Sequence, residues 1–327
     1  MILMGTGPFA VPAFEAVRAA GYPISLVMTR PQPTVKSRGG PPPTPVRDWA
    51  NSHGLPLEAP ASINAPETVD RLRRETADLL VVCDYGQILR PDALAASRLG
   101  GINLHGSLLP AYRGAAPVQR AMLAGEHETG VSVIHMTPKL DGGPIVATRR
   151  TQIRPDETAG ELEQRLAESG VDAVLEAIDL LADQPTAGAV GALQDAAKVS
   201  QAPRLTKSEG QIDWTKPGRL IDAHVRGMQP WPLAFTFLDK GDGKPPLRLV
   251  IRDVDFQPDA SIRPDQFGTL VSEDELQIGC ADGRIVVRRV QPAGKKEMTG
   301  QDLLNGHRLQ LGTPFNGSST GPSTGTK

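Results

Sequence analysis

Short apolar runs alternate with helical patterns through the first half of the chain. The runs occupy residues 2–4, 24–29, 79–83 and 102–104, and several of the stretches between them begin with a proline suited to a first helical turn. Strands that alternate with helices form parallel sheets with crossover helices. The pattern therefore predicts an α/β domain with a Rossmann-like parallel sheet.

The first domain continues to about residue 185, and the pattern changes after it. Residues 130–135 and 144–151 are predicted as two more strands of this domain, and a long helix is predicted from about Thr158 to Leu181. Residues 183–203 are rich in Ala, Gly, Gln and Pro with little periodicity, which is typical of a linker. Short strand-like runs between Gly, Pro and Asp turns then indicate a small, OB-like β-barrel. We predict a first domain over residues 1–185, a linker over 186–204, a second domain over 205–315 and a disordered tail over 316–327.

The composition is that of an ordinary globular protein, with 39% hydrophobic and 22% charged residues and a net charge of -2. Cys83 and Cys280 lie far apart without metal-ligand spacing, which favours a reducing compartment over a disulfide framework. The chain shows neither a signal peptide nor a membrane-spanning run, so we expect a cytoplasmic protein. Because the net charge is nearly neutral, any binding of nucleic acid has to come from local basic patches.

Two polar residues stand at the end of a predicted buried strand. In the run Gly101-Ile-Asn-Leu-His105, strand geometry places Asn103 and His105 on one face and the apolar residues on the other. Ligands of open α/β sheets bind at the carboxyl ends of the strands. The strand therefore presents an amide and an imidazole to a candidate ligand site. The alternative is that both are hydrogen-bonded polar groups that only cap the strand.

Asp141 is the candidate partner of this pair. It lies in a loop after another predicted strand, beside Gly142 and Gly143, which let the backbone approach a ligand closely. A carboxylate there could orient the His105 ring and keep it protonated. An Asp-Gly turn without chemistry is the alternative, and only the pairing with the Asn103 and His105 segment favours function.

Other kinds of site receive less support. No Gly-x-Ser-x-Gly surrounds Ser107, and the histidines lack zinc-ligand spacings, so neither a serine hydrolase nor a metal site is expected. Residues 5–10, Gly-Thr-Gly-Pro-Phe-Ala, match the dinucleotide-binding pattern, but Pro8 removes a backbone donor from the turn. Arg30 ends the second strand where an acidic residue would bind a ribose. An NADP-binding module remains an alternative.

A longer segment carries a specific resemblance. Residues 103–119, Asn-Leu-His-Gly-Ser-Leu-Leu-Pro-Ala-Tyr-Arg-Gly-Ala-Ala-Pro-Val-Gln, and residues 140–143, Leu-Asp-Gly-Gly, resemble the signature of the 10-formyltetrahydrofolate transformylase family. The similarity extends to a second domain that smaller members lack, through residues 212–214, 228–232, 291–296 and 301–305. The resemblance implies a formyltransferase that moves a formyl group from 10-formyltetrahydrofolate to the amino group of initiator methionyl-tRNA.

The resemblance also implies residue roles, with Asn103, His105 and Asp141 as the catalytic set. Asp84, before the implied pterin loop, departs from the family's usual small residue. The loop over residues 30–44 is poorer in lysine than is usual, and each single cation could equally be a solvated surface charge. The implied folate-binding residues are Ser107, Leu108, Leu109, Pro110, Tyr85, Gly86, Gln87, Ile88 and Leu89, and the implied tRNA-binding residues are Arg30, Lys36, Arg38, Lys207, Lys295 and Lys296.

The acceptor is the main point that the sequence leaves open. A formyltransferase acting on another amine, such as a sugar nucleotide, would use the same three catalytic residues. A hydrolase that releases formate from the same folate would need only water in place of the amine. We expect a monomer, and whether His105 or water relays the proton stays open.

Overall fold

A computed structural model describes residues 1–32, 44–183, 190–240 and 243–316. Lys36, Arg38 and nearly all of the predicted tail lie outside these ranges. The predicted roles of the two cations and the predicted disorder of the tail therefore remain predictions. The described residues form two compact units. The first comprises residues 1–118, 128–153 and 161–204, and the second comprises residues 119–127, 154–160 and 205–316. The predicted domain boundaries remain predictions.

Nine strands, numbered in chain order, lie in the described part of the first unit. Seven of them form one sheet in the order β3-β2-β1-β4-β5-β7-β8, and the remaining two pair with each other. The strands are β1 (Ile2–Gly5), β2 (Leu26–Met28), β3 (Leu57–Glu58), β4 (Leu80–Cys83), β5 (Gly101–His105), β6 (Arg113–Gly114), β7 (Glu128–His135), β8 (Ile145–Gln152) and β9 (Gln201–Ala202).

Six helices occupy the same part of the chain. A proline stands at the first turn of α2, α3 and α4, where its missing N–H costs no helical hydrogen bond. The predicted long helix is confirmed as the last of the six. The helices are α1 (Val11–Ala19), α2 (Pro45–Ser52), α3 (Pro66–Arg74), α4 (Pro91–Leu94), α5 (Pro117–Leu123) and α6 (Ala159–Ala182).

The sheet is parallel from β3 to β5, which confirms the predicted Rossmann-like sheet. The two later strands differ from that prediction, because β7 pairs antiparallel with both β5 and β8. The connection between β7 and β8 holds no helix and is too short for a parallel crossover, so the chain returns antiparallel. The sheet is therefore mixed at one edge.

The packing of β5 decides which of its side chains reach a site. A Cβ placed on Gly170 of α6 would lie 2.7 Å from a methyl of Leu104, so α6 packs closely on the Leu104 face. Asn103 and His105 alternate with Leu104 and project from the opposite face. Along the sheet, β1 lies between β2 and β4, so the chain leaves β1 in one direction and later returns on its other side. Ligand crevices of doubly wound sheets form at such a point.

The segment predicted as a linker packs back onto the first unit over its described part, residues 190–204. Ala192 exchanges two backbone hydrogen bonds with Ile145 at 2.8 Å, and β9 pairs parallel with β6. The Ser200 hydroxyl accepts from the Tyr112 amide at 2.9 Å. Composition indicated a loose connection, but these contacts tie the segment to the loop after β5.

The second unit is an antiparallel sheet in the order β10-β11-β13-β12, with β14 added on β13. Isolated bridges join β12 to Leu270, Thr269 to Pro314, and Asn316 to β10, so the sheet closes into the predicted small β-barrel. Its strands are β10 (Phe235–Leu238), β11 (Leu247–Pro258), β12 (Gln277–Cys280), β13 (Gly283–Pro292) and β14 (Met298–Thr299), and its helices are α7 (Gly218–Gly227) and α8 (Gly300–His307).

Candidate active site

Asn103 and His105 end β5 at the carboxyl edge of the sheet. The His105 side chain is buried, whereas Asn103 is half-buried. Within the described ranges, the Asn103 amide has no hydrogen-bond partner. A side-chain amide that is not needed by the strand is free to donate to a bound ligand.

Both nitrogens of the His105 ring face acceptor oxygens. Nε2 lies 2.9 Å from the carbonyl oxygen of Tyr112, and Nδ1 lies 3.9 Å from Oδ2 of Asp141. A carbonyl can only accept, so we assign a proton to Nε2. The second contact is longer than a hydrogen bond but brings a carboxylate to the other side of the ring. The structure thus brings His105 and Asp141 together, and strand alternation puts Asn103 on the same face of β5 as His105.

Asp141 is held in an unusual backbone conformation. Its φ of +46° lies in the left-handed region, which costs energy for a residue with a Cβ. Its carboxylate accepts a hydrogen bond from the Gly114 amide at 2.9 Å. A Cβ on Gly143 would lie 1.9 Å from the carbonyl oxygen of His135, so only glycine fits there. The loop is built tightly around the carboxylate.

Gln194, which we did not predict as a site residue, bridges the Asp141 loop and β6. Its Nε2 donates to the carbonyl oxygens of Asp141 and Gly143 at 2.8 and 2.7 Å. Its Oε1 accepts from Nε and Nη2 of Arg113 at 3.1 and 2.6 Å. In the sequence, Gln194 stands out only as an amide side chain in a segment of mostly small residues. Such a residue is equally typical of a linker, so the sequence did not point to it.

The residues predicted to bind folate after β5 differ in exposure. Ser107 is fully buried, and its hydroxyl donates to the carbonyl oxygen of Ala111 at 2.7 Å. Leu109 is also buried, and its amide donates to the Ser132 hydroxyl at 3.1 Å. Leu108 and Pro110 are half-buried. Hydrogen bonds within and beside the loop therefore fix its conformation, and Leu108 and Pro110 provide most of its accessible side-chain surface.

The predicted pterin loop follows β4. Ile88 is 63% exposed, whereas Tyr85 and Leu89 are buried. The Gln87 side chain accepts a hydrogen bond from the Ile63 amide at 2.8 Å and donates one to the Pro60 carbonyl oxygen. It therefore holds the loop against residues 60–63 and is not available to a ligand. Gly86 has a φ of +76°, which glycine adopts without strain. The loop presents an apolar side chain and accessible backbone at the sheet edge.

Asp84 and the loop after β1 are joined at the point where the chain direction switches. Asp84 accepts a hydrogen bond from the Thr6 amide at 3.1 Å through its carbonyl and another from the Gly7 amide through its carboxylate. Gly7 has no room for a side chain, since a Cβ would lie 2.0 Å from Oδ2 of Asp84. A carboxylate at the amide that would face a pyrophosphate disfavours the dinucleotide-binding alternative.

Glu163 of α6 lies near Asp84. Burial, and secondly the charge of Asp84, raise the pKa of Glu163 to about 7. Crowding by neighbouring residues raises the pKa of Asp84 as well, although the residue keeps solvent-accessible surface. Two carboxyl groups with raised pKa values thus lie near each other beside the sheet edge.

The raised pKa of Glu163 predicts a pH-dependent stability. The folded protein binds this proton more tightly than the unfolded chain, so the stabilisation is complete below pH 4.5 and is lost as the pH rises to about 7. Glu163→Gln stays neutral and should exceed the wild type by about 1–3 kcal/mol at pH 8, with little difference at pH 5. Thermal unfolding at both pH values measures this. Glu168→Gln, at an exposed position of the same helix, is the control, and a Glu163→Gln protein no more stable than wild type at pH 8 would contradict the prediction.

The described cations predicted to bind tRNA lie in both units. Lys207, Lys295 and Lys296 are exposed in the second unit, the last two in the turn after β13. Arg30 is exposed in the first unit, where a Cβ on Gly86 would lie 3.1 Å from its Cδ. The structure thus places Arg30 beside the predicted pterin loop.

Among the residues that the structure describes, no three His, Cys, Asp or Glu side chains cluster to hold a metal ion. Over the same part of the chain, no helix is sufficiently long and apolar to cross a membrane.

Comparison with known families matches both parts of the chain. Residues 1–178 match the family described as formyl transferase, and residues 204–308 match the family described as formyl transferase, C-terminal domain. The first match alone covers more than half of the chain. The chain belongs to the formyl transferase family.

Curated formyl transferases resemble the chain over nearly its whole length. A methionyl-tRNA formyltransferase of Rhodopirellula baltica is 63% identical over 321 residues, covering 95% of each chain. Another, from Symbiobacterium thermophilum, is 38% identical and covers 96% of this chain and 94% of its own. A solved structure, the N-formyltransferase of Helicobacter canadensis with folinic acid and dTDP-3-aminofucose, has a TM-score of 0.63 at 15% identity, covering 88% of this chain and 97% of its own. At that identity the likeness shows the fold alone.

Proposed function

We propose that this formyl transferase moves the formyl group of 10-formyltetrahydrofolate to the amino group of initiator methionyl-tRNA, forming formylmethionyl-tRNA for translation initiation. The observation that supports it most is the Asp141 carboxylate beside the His105 ring, with Asn103 on the same face of β5 at the sheet edge. The 63% identity to a methionyl-tRNA formyltransferase over 95% of both chains favours this acceptor over a sugar nucleotide.

The reaction needs a group that stabilises negative charge on the formyl oxygen. Attack by the amine nitrogen on the formyl carbon forms a C–N bond and a tetrahedral oxyanion. The free Asn103 amide would hold this oxyanion by a hydrogen bond, as would the Nδ1–H of a protonated His105, which at 3.9 Å is not hydrogen-bonded to Asp141. Collapse breaks the bond from the formyl carbon to N10 of the folate, and the proton released by the amine is transferred to N10. Asp141 orients the imidazole during these steps.

Folate binding is proposed at the loops after β4 and β5. The exposed Ile88 and the half-buried Leu108 and Pro110 offer apolar surface to the flat rings of the folate, and the backbone of the Gly86 turn is accessible to polar edges. Ser107, Leu109, Tyr85, Gln87 and Leu89 act mainly by holding these loops in place.

The function is tested by the stoichiometry of the reaction. Wild-type protein incubated with 10-formyltetrahydrofolate and methionyl-tRNA should release one tetrahydrofolate for each formylmethionyl-tRNA formed. Without methionyl-tRNA, folate turnover should be negligible. Formate release at the same rate with and without the acceptor would instead identify a hydrolase.

Binding of tRNA is proposed through Lys207, Lys295 and Lys296, together with Arg30, Lys36 and Arg38. Replacing the first three by alanine should weaken binding at low salt and lower the slope of log Kd against log salt by up to about 0.9 for each phosphate that is no longer neutralised. Titration of methionyl-tRNA at several salt concentrations measures this. Lys216→Ala is the control, since its ammonium lies 4.0 Å from Asp213, and an unchanged slope in the triple variant would contradict the assignment.

A further inference from the structure

The amide of Gln194 uses its full hydrogen-bonding capacity. Its oxygen accepts two hydrogen bonds from the Arg113 guanidinium, and its nitrogen donates two to the carbonyl oxygens of Asp141 and Gly143. A side-chain amide has two acceptor sites and two donor hydrogens. Because a guanidinium can only donate and a carbonyl can only accept, the orientation of the Gln194 amide is fixed.

The Arg113 side chain holds one end of this bridge firmly. Arg113 is only 5% exposed, and among the described residues Gln194 is the only side chain that bonds to its guanidinium. A buried cation without an acceptor is costly, so the contact persists. Arg113 itself is fixed by its place in β6, which pairs with β9.

The other end of the bridge meets the catalytic loop at its strained residue. Gln194 binds the carbonyl of Asp141, whose positive φ requires support from the surroundings. The segment that contains Arg113 touches the catalytic residues from the other side, because the Tyr112 carbonyl accepts from His105 and the Gly114 amide donates to the Asp141 carboxylate. Gln194 therefore closes a ring of contacts around the His105 and Asp141 pair.

We propose that Gln194 is a positioning residue that fixes the Asp141 loop against β6 and so sets the Asp141 carboxylate beside the His105 ring. It does not touch the reacting atoms. The catalytic arrangement thus depends on the segment that leads into the second unit. This inference rests on the proposed function for its activity assay.

Gln194→Glu tests the proposal, because it keeps the acceptor for Arg113 and removes the two donors to the loop. We expect kcat to fall roughly 10- to 100-fold while KM for both substrates changes less than about threefold, since misplacement by about an ångström has effects of this size. The signal of the His105 ring, observed by NMR in ¹³C-histidine-labelled protein, should shift. Gln194→Met, which lacks both sets of bonds, should lose at least as much activity.

A double-mutant cycle separates positioning from general damage. If Gln194 acts through Asp141, adding Gln194→Glu to Asp141→Asn should reduce kcat by less than about twofold further. Gln201→Ala, at an exposed position of the same segment, should match the wild type in kcat. Gln194→Glu should remain folded at the assay temperature, as its melting curve would show. Wild-type kcat and an unmoved His105 signal in Gln194→Glu would overturn the proposal. It would also be overturned if Gln194→Glu reduced kcat in the Asp141→Asn background by as much as it does in the wild type. An inactive wild type would reject the proposed function instead, and the NMR comparison would still test the positioning.

Discussion

Asn103→Asp should lose formyl transfer by about 100- to 1000-fold or more, with the fold intact. The substitution is nearly isosteric, so packing at the end of β5 is kept. It replaces an amide donor by a carboxylate that repels the developing negative charge on the formyl oxygen, and loss of one such donor alone has about this effect. The Asn103 amide has no hydrogen-bond partner among the described residues, so it is available to the formyl oxygen, which supports this role.

Single-turnover formylation, with the enzyme in excess over methionyl-tRNA, measures this effect on the chemical step. Binding of folate should change little, because the amide acts mainly in the transition state. Asn51→Asp, which introduces the same change at an exposed position of α2, is the matched control. A single-turnover rate for Asn103→Asp within about threefold of wild type would remove Asn103 from the catalytic set.

His105→Ala should reduce the same rate by about 10² to 10⁴, the range for a positioned acid or base. The ring lies between the Tyr112 carbonyl and the Asp141 carboxylate, so its loss removes the donor that these two groups orient. Deleting a buried ring also opens a cavity, so the measurement is paired with a melting curve. Added imidazole should restore part of the rate if the ring itself is needed.

His127→Ala is the control for this substitution, since His127 is exposed. A His105→Ala protein that keeps its melting temperature and at least a third of the wild-type rate, about 0.65 kcal/mol in barrier, would contradict a catalytic role for His105. Failure of imidazole rescue alongside a large loss of rate and of stability would favour a structural role for the ring.

Local patterns were sufficient to predict the sheet and the face of β5. The strands of the parallel part are short apolar runs bounded by turns, and alternation along β5 places Asn103 and His105 together whatever the surrounding fold. The antiparallel setting of β7 was not predicted, because an apolar run carries no information on its direction. Direction is decided by the connections and by partners distant in sequence.

Long-range contacts were beyond such patterns. Gln194 lies 53 residues from Asp141, and its neighbours are mostly small and exposed, so composition indicated a linker. The contact between Asp84 and Gly7 similarly joins loops after two strands that are distant in sequence but adjacent in the sheet. The resemblance pointed to Asp84 as unusual, but its place against the first loop needed the structure.

The central claim is that this site formylates methionyl-tRNA, and identification of the formylated product tests it most directly. Wild-type protein is given 10-formyltetrahydrofolate with initiator methionyl-tRNA and a dTDP-amino sugar in the same reaction, and the products are identified by mass spectrometry after release of the amino acid. We expect formylmethionine and an unmodified amino sugar with the wild type, and far less formylmethionine with Asn103→Asp in the same time. A formylated sugar or free formate without formylmethionine would contradict the account.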